Sequence, residues 1–212
     1  MSAYGGLHVL VDDDPRWGAD PVAQARAACA GGARVVQLRA KHAGDRQVLA
    51  WAEKIRALTR ARGVRFVLND RFDLALTSDA DAVHLGQEDL PPDAIPAALR
   101  ARLEVGRSTH TLEQARAARD EPIDYVAFGP VFATGSKDTG YSERGLDRMR
   151  RVAELVAPLP LVAIGGIGPG NAGEALRRGA AGVAVISAVA GAEDPEAATR
   201  SLVEALIEAG GP

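Results

Sequence analysis

Three polar residues at alternate positions in the sequence VVQLRAK are the first candidates for chemistry. Gln37, Arg39 and Lys41 follow an apolar run, and residues two apart in a strand point to the same side. Burying a guanidinium and an ammonium on one face is prohibitive unless an anion meets them. The pattern therefore predicts a site for a phosphate-bearing ligand. The alternative is that the strand ends at Leu38 and that both charges are solvated.

Two carboxylates, Asp70 and Asp89, follow the next two apolar runs. They suit a hard divalent cation such as Mg²⁺, whose remaining ligands would be water and the phosphate oxygens of a substrate. Asp70 also suits the N-cap of a helix over Phe72–Leu76, so capping and metal binding both stay open. The acidic segment Asp12-Asp13-Asp14, after the first run, is interpreted as a solvated turn or helix start, with metal binding as the lesser alternative.

The segment RSTHT supplies a hydroxyl and a histidine after the fifth run. Ser108 and His110 are candidates for ligand contact, although Ser108 or Thr109 could instead cap the following helix. His110 is the one histidine worth testing as an acid or base. His84 is interpreted as a core or rim residue, because the histidines show no zinc-binding spacing.

Two glycine-bearing segments predict a second anion site. The segment FATGSK carries Thr134, Ser136 and Lys137 in a long connection, and such connections often close over ligands. GGIGPGN follows the seventh run and Ser187 follows the eighth, where barrels commonly bind phosphate through backbone N–H groups. Two anion sites on one rim suit two phosphorylated substrates.

These residues stand at the ends of short apolar runs that alternate with segments of helical period. Most runs are apolar throughout, as in a parallel sheet with both faces buried. We therefore predict one (β/α)₈ TIM barrel spanning residues 1–212 as a single domain, with an open doubly wound sheet as the alternative. The predicted strands are Leu7–Val11, Val35–Leu38, Phe66–Leu68, Ala82–Leu85, Leu103–Val105, Tyr125–Phe128, Leu161–Ile164 and Gly182–Ile186, and the clearest helices are Arg46–Arg62, Leu112–Arg119 and Pro195–Ala209.

The composition limits the classes of partner. A net charge of −3 gives no reason to expect nucleic acid or an anionic membrane, and no apolar run is long enough to span a bilayer. The single cysteine, Cys29, lies in an apolar-periodic run and is interpreted as a buried thiol. Because one cysteine forms no internal disulfide and no signal peptide is recognisable, we expect a cytoplasmic protein.

The ordered set of motifs resembles the thiamine phosphate synthase family over about residues 7 to 200. The motifs that carry the resemblance are VQLRAK, LNDRFDLAL, DAVHLGQEDLP, GRSTHTLEQA, YVAFGPVFATGSK, VAIGGI and GVAVIS. The resemblance implies that 4-amino-2-methyl-5-hydroxymethylpyrimidine diphosphate is joined to 4-methyl-5-hydroxyethylthiazole phosphate. The products would be thiamine phosphate and pyrophosphate, with pyrophosphate leaving first to give a pyrimidine methyl cation.

The resemblance also implies a role for each matching residue. Mg²⁺, one ion per subunit, would be held by Asp70 and Asp89. The pyrimidine diphosphate would be bound by Gln37, Arg39, Lys41, Asn69, Ser108 and Lys137. The thiazole phosphate would be bound by Thr134, Gly135, Ser136, Gly166, Ile186 and Ser187.

The chain departs from the family pattern at Ala40, Ala133 and Ser136, and in the segment after Lys137. One alternative function is a thiazole tautomerase on the same fold, with His110 as the proton shuttle. Others are a non-catalytic barrel that binds a phosphate ligand and an unrelated phosphate-binding barrel enzyme. The retained cations and carboxylates favour the synthase, as a monomer or a homodimer.

Overall fold

Eight parallel strands close into a barrel in the computed structural model, which describes residues 2–134 and 142–211. Each strand pairs with the next one in the sequence, and β8 pairs with β1. The predicted TIM barrel is thus confirmed. The strands are β1 Gly6–Asp12, β2 Val35–Arg39, β3 Arg65–Asn69, β4 Ala82–Leu85, β5 Glu104–Thr109, β6 Tyr125–Phe128, β7 Leu161–Ile164 and β8 Gly182–Val185.

Helices connect the strands and cover the outside of the barrel. Asp20, Thr111 and Asp194 start three of them by accepting backbone N–H groups of the first turn. Two short 3₁₀ turns, Pro15–Trp17 and Pro92–Ala94, precede the first and fourth helices. Within the described ranges the helices are α1 Pro21–Ala30, α2 Asp45–Arg60, α3 Phe72–Thr77, α4 Ala97–Arg100, α5 Leu112–Ala118, α6 Leu146–Val156, α7 Pro169–Arg177, α8 Ser187–Ala190 and α9 Pro195–Glu208.

Apolar side chains form two separate clusters, one on each face of the barrel wall. The larger cluster lies between strands and helices and includes the predicted buried thiol, Cys29, which is 6% exposed. The smaller cluster fills the barrel and includes Leu10, Val67 and Val162. Both faces of each strand are therefore buried, which explains why the strand sequences read as continuous apolar runs.

Two stacked tyrosines close the N-terminal end of the barrel. The rings of Tyr4 and Tyr125 lie 4.0 Å apart between centroids, at an interplanar angle of 24°. Tyr125 crosses the interior directly over Gly106, where any Cβ atom would overlap its ring. Tyr4 donates a hydrogen bond to Glu104, which also pairs with Arg65. This tyrosine pair is the floor beneath the interior cavity.

Strand β5 is the one strand whose prediction was substantially wrong. The sequence indicated Leu103–Val105, whereas β5 runs from Glu104 to Thr109. Its second half includes Arg107, which is buried and bonded to the carbonyl oxygen of Gly86. Because this hydrogen bond and the carboxylate of Glu121, 3.1 Å from Nε, compensate the buried charge, the strand continues through a residue that apolar patterning would place outside it.

No helix within residues 2–134 and 142–211 combines the length and the apolar character that crossing a bilayer requires.

Candidate active site

One cavity at the C-terminal ends of the strands brings seven of the predicted site residues together. It opens at the rim and reaches down to the tyrosine floor at Tyr125. Both predicted substrate sets contribute to its wall, as does the predicted acid or base. The predicted residues that line it are Gln37, Ser108, His110, Thr134, Gly166, Ile186 and Ser187.

Five further predicted residues lie along the adjoining part of the rim. Arg39 and Asn69 are the last residues of β2 and β3, and Lys41 and Asp70 follow them closely. Asp89 lies in the loop after β4. The rim therefore divides into a charged half after β2 to β4 and a half built of hydroxyls and glycines after β6 to β8.

Gln37 and Arg39 face the barrel interior, as their alternate spacing predicted. Gln37 is only 4% exposed and lines the cavity. The Arg39 side chain is 17% exposed and ends 2.5 Å from the carboxylate of Asp12. The alternative that the strand ends at Leu38 with solvated charges is therefore wrong for Arg39. Lys41 lies beyond the strand, with its side chain 43% exposed.

The interpretation of Asp12 as part of a solvated turn was wrong. Asp12 is the last residue of β1, its side chain is 1% exposed, and it lies opposite Arg39 in the β1–β2 register. A buried carboxylate needs a partner, and the guanidinium supplies it. The next residues agree better with the prediction, since Asp14 starts the 3₁₀ turn Pro15–Trp17.

Asp70 lies between a cation and a second carboxylate. It accepts a hydrogen bond from Lys41, and burial, followed by the nearby charge of Asp89, raises the pKa of its carboxyl group. Asp70 also has a φ of 67°, a conformation uncommon for residues other than glycine. Asp89 is held by the N–H of Gly86, 2.6 Å from its carboxylate. Two acidic groups placed this close repel each other unless a proton or a cation lies between them.

The capping alternatives in the sequence are wrong at two helices. Arg71, not Asp70, is the N-cap residue of α3, and its side chain makes no capping hydrogen bond. Thr111, not Ser108 or Thr109, caps α5 by accepting from Gln114. Asp70 and Ser108 are consequently left for other roles at the rim.

A buried hydrogen-bond chain runs from Ser108 to the floor of the barrel. Nε2 of His84 lies 2.8 Å from Oγ of Ser108, and Nδ1 lies 2.9 Å from the hydroxyl of Tyr125. Asn69 is tied to the same residue, because its side-chain amide donates to the carbonyl oxygen of His84 at 3.1 Å. His84 is thus a core residue, as predicted, and it fixes two of the predicted ligand-binding residues.

The glycine-rich turn after β7 forms the opposite wall. Gly166 has a φ of 65°, and a Cβ atom there would lie 2.8 Å from Cβ of Phe132. Asn171 holds the turn against α7 by donating to the carbonyl oxygen of Gly166 at 2.9 Å and accepting from Gly168 at 2.8 Å. Ser187 opens α8 just after Ile186. Backbone N–H groups near the starts of two helices therefore border one groove.

His110 is fixed at the cavity wall. Its Nδ1 lies 2.6 Å from the carbonyl oxygen of Gly129, a geometry in which Nδ1 carries the proton and donates. Its backbone N–H donates to the side chain of Gln114 at 2.7 Å.

Three predicted residues, Gly135, Ser136 and Lys137, lie outside the described residues.

Some residues at the cavity were missed by the sequence interpretation. His8 and Leu10 line it from β1, and Trp17 lines the adjoining groove beside Ser187 and Gly166. The two-residue spacing of His8, Leu10 and Asp12 was a usable signal, because it places all three on the interior face of β1. Trp17 follows no such periodicity.

This chain is similar to known proteins over most of its length. A family model described as thiamine monophosphate synthase matches residues 7–189. A thiamine-phosphate synthase of Anaeromyxobacter dehalogenans is 50% identical over 97% of this chain and 89% of its own length. A second, from Chloroflexus aurantiacus, is 44% identical over 92% of this chain and 90% of its own.

A solved structure gives the same result for the fold. The thiamine phosphate pyrophosphorylase of Pyrococcus furiosus superposes with a TM-score of 0.87 at 38% identity, covering 96% of each chain. The resemblance read from the ordered motifs is therefore confirmed, and the chain belongs to the thiamine monophosphate synthase family.

Proposed function

We propose that this chain couples a pyrimidine diphosphate to a thiazole phosphate, giving thiamine phosphate and pyrophosphate. The general prediction of a transferase in thiamine biosynthesis is confirmed by the family and its relatives. The observation that carries the specific proposal is the shared cavity. Residues assigned to the two substrates, such as Gln37 and Thr134, line one continuous space. Two reactants held there would react without the entropic cost of a bimolecular encounter.

The charged half of the rim suits the diphosphate. Arg39 and Lys41 would bind its oxygens, while Gln37 and Ser108 would orient the pyrimidine ring within the cavity. In a dissociative reaction the bond between the methylene carbon and the diphosphate oxygen breaks first, so negative charge accumulates on the leaving group. Cations already fixed beside that group stabilise the transition state without further rearrangement.

The residues present also fit a hard divalent cation. Asp70 and Asp89 are close enough that the charge of Asp89 contributes to raising the pKa of Asp70. No third metal-binding side chain joins these two carboxylates among the described residues, so the protein would supply two ligands. A Mg²⁺ ion bound by these two carboxylates would supply further positive charge for the diphosphate. Magnesium accepts few protein ligands, so two carboxylates suffice, with substrate oxygens and water completing its shell.

The opposite half of the rim suits the thiazole phosphate. Thr134 and Ser187 offer hydroxyls, and the turn at Gly166 lets the backbone approach a phosphate closely. The thiazole nitrogen would then capture the methylene cation of the pyrimidine. The apolar wall formed by Val162, Ile164 and Ala184 would exclude water, which would otherwise hydrolyse that cation.

The tautomerase is the second candidate, because His110 lies at the cavity wall. That function would need neither the cations nor the carboxylates of the charged half, yet Arg39, Lys41, Asp70 and Asp89 are all present. The synthase explains more of the site.

The decisive experiment is an assay of the purified protein with both phosphorylated substrates and Mg²⁺. Thiamine phosphate and pyrophosphate are measured together, and EDTA is added to a parallel reaction. Equal yields of both products, abolished by EDTA, are expected. Isomerisation of a thiazole carboxylate phosphate without coupling would favour the tautomerase, and inactivity in both assays would favour a non-catalytic barrel.

A further inference from the structure

We infer that Asp13 is a positioning residue for the diphosphate subsite, acting through the chain segment that carries Arg39 and Lys41. The inference rests on the proposed function, because it assumes that these two cations bind the diphosphate. The sequence interpretation gave Asp13 no role beyond a turn, and none of the proposed ligand contacts involves it. Its contacts nevertheless all lead to the cationic segment.

The carboxylate of Asp13 is bound by three consecutive backbone N–H groups. Lys41 donates to Oδ1 at 2.8 Å, and His42 and Ala43 donate to Oδ2 at 2.9 and 2.8 Å. Successive N–H groups converging on one anion form a nest, which in many proteins binds phosphate. Here the carboxylate of Asp13, the residue that follows β1, occupies the nest. The backbone at Lys41 is therefore fixed to the end of a neighbouring strand before any ligand arrives.

The backbone of Asp13 holds the other end of the same segment. Its N–H donates to the carbonyl oxygen of Arg39 at 3.2 Å, continuing the β1–β2 ladder past the last paired residues. Asp12 adds the ion pair to the Arg39 side chain. One residue thus links both ends of the stretch from Arg39 to Ala43, and its neighbour orients the guanidinium.

The immediate surroundings of Asp12 are also fixed. The side chain of Gln24 accepts from the backbone N–H of Asp12 at 3.0 Å and donates to its carbonyl oxygen at 2.8 Å. Gln24 is 2% exposed and lies in α1. The end of β1 is therefore anchored to a helix, and it can serve as a rigid template for the cationic segment. A ligand that meets prearranged cations loses less conformational entropy on binding.

An electrostatic role and a positioning role of Asp13 predict opposite changes in the affinity for an anion when Asp13 is removed. Removing a negative charge close to the subsite would, by electrostatics alone, strengthen the binding of an anion. Removing the acceptor for three N–H groups would release the stretch from Arg39 to Ala43. Binding would then be weaker, because this stretch would lose conformational entropy each time a ligand binds. The sign of the change in affinity therefore distinguishes the two.

The test measures the affinity of inorganic pyrophosphate by calorimetry in the presence of Mg²⁺. The proteins are the wild type, Asp13→Ala, Asp13→Asn and Asp20→Ala. Asp20→Ala is the matched control, since it removes a carboxylate that accepts two backbone N–H groups at the start of α1, at 2.8 and 2.9 Å, away from the cationic segment. Asp13→Asn keeps one acceptor oxygen and should give an intermediate result.

We expect Asp13→Ala to raise the Kd for pyrophosphate about tenfold, the usual effect of losing a residue that orients a ligand-binding group. In the coupling assay the KM for the pyrimidine diphosphate should rise in parallel, while the KM for the thiazole phosphate stays unchanged. Asp20→Ala should leave the Kd unchanged. Asp13→Asn replaces Asp13→Ala under the same criteria if the alanine variant does not fold.

An unchanged or lower Kd in the Asp13 variants would overturn the inference, as would a wild-type protein that binds no pyrophosphate. An equal rise in Asp20→Ala would also overturn it, because the effect would then be one of general stability. Failure of the proposed function is a separate result. It would appear as wild-type protein that binds pyrophosphate, with the predicted loss in Asp13→Ala, but forms no thiamine phosphate.

Discussion

Lys41 donates a hydrogen bond to the carboxylate of Asp70, so two residues proposed for different ligands hold each other in the free protein. Their pairing is compatible with both roles. In the proposed function, the diphosphate would bind Lys41 and the metal would bind Asp70. The charged half of the rim is therefore prearranged without leaving either charge unpaired.

Asp70→Asn tests the carboxylate. We expect coupling activity to fall by about a hundredfold or more, a loss typical of removing a residue from a metal site.

Burial and then Asp89 raise the pKa of the Asp70 carboxyl, so its contribution to stability is lost as pH rises above the ordinary carboxyl range. The metal-free variant should therefore be no less stable than the wild type at neutral pH. Turnover and denaturant unfolding measure the two effects.

The control for that prediction is Asp73→Asn. Asp73 is 52% exposed and pairs with Arg71 on the surface three residues further along the chain. The Asp73→Asn variant should leave turnover unchanged. Loss of activity in both variants would contradict a specific role for Asp70.

His110→Ala separates the two candidate enzymes. If the chain is a synthase, turnover should fall by less than about tenfold, because general acid–base catalysis typically contributes about a hundredfold or more and none is required here. The modest loss expected comes from the hydrogen bond between Nδ1 and the carbonyl oxygen of Gly129. A collapse of turnover with unchanged stability would favour proton transfer, and hence the tautomerase.

Gly166→Ala tests the phosphate turn. A Cβ atom there would meet Phe132 and the carbonyl oxygen of Ala133, at a φ of 65°. Backbone strain of this kind costs about 1–3 kcal/mol. The KM for the thiazole phosphate should therefore rise more than the KM for the pyrimidine diphosphate.

Gly63→Ala is its matched control. Gly63 also has a φ of 65°, but a Cβ atom there meets nothing within 4 Å, and the residue precedes β3 at the opposite end of the barrel. Gly63→Ala therefore introduces the same backbone strain without a steric clash of the new Cβ atom. Equal effects of the two variants on the thiazole phosphate would contradict the assigned subsite.

His8→Gln tests the acid sensitivity of the barrel interior. Burial lowers the pKa of His8 to about 4, below its ordinary value of 6.5. The unfolded chain therefore binds more protons than the folded protein between those values, and stability falls as pH decreases from 6.5 towards 4. The full loss amounts to about 3 kcal/mol at roughly 1.4 kcal/mol per pKa unit. Glutamine keeps a donor for the carbonyl oxygen of Tyr4, 2.9 Å from Nε2 in the wild type.

Denaturant unfolding of both proteins at several pH values measures this difference. The glutamine variant should lose less stability on acidification than the wild type. The exposed His42 provides the control, since His42→Gln should leave the acid dependence as it is. Identical curves for the wild type and His8→Gln would contradict the prediction.

The barrel was predictable because its strands are apolar on both faces. Seven strand positions follow directly from those runs, with small changes at their ends. Strand β5 was the exception, since Gly106 and Arg107 interrupt the run. The contacts that place them in a strand, with Tyr125 and Gly86, come from distant parts of the chain and leave no local signal.

The placement of site residues was predictable where it depends on spacing along one strand. The prediction failed where placement depends on the register between neighbouring strands. Alternation placed Gln37 and Arg39 on one face without reference to other strands. The partner of Arg39 is Asp12, and that pairing requires the alignment of β1 with β2, which the acidic run alone does not specify. The same limit applies to the capping of α3 and α5, since several polar residues precede each helix and backbone geometry selects one.

The stacked rings of Tyr4 and Tyr125 close the bottom of the cavity, and the cavity opens at the C-terminal rim of the barrel. A ligand that binds at the bottom of the cavity would enter and leave through this mouth. The two aromatic rings at the floor of the barrel therefore direct exchange between this cavity and solvent to the C-terminal rim.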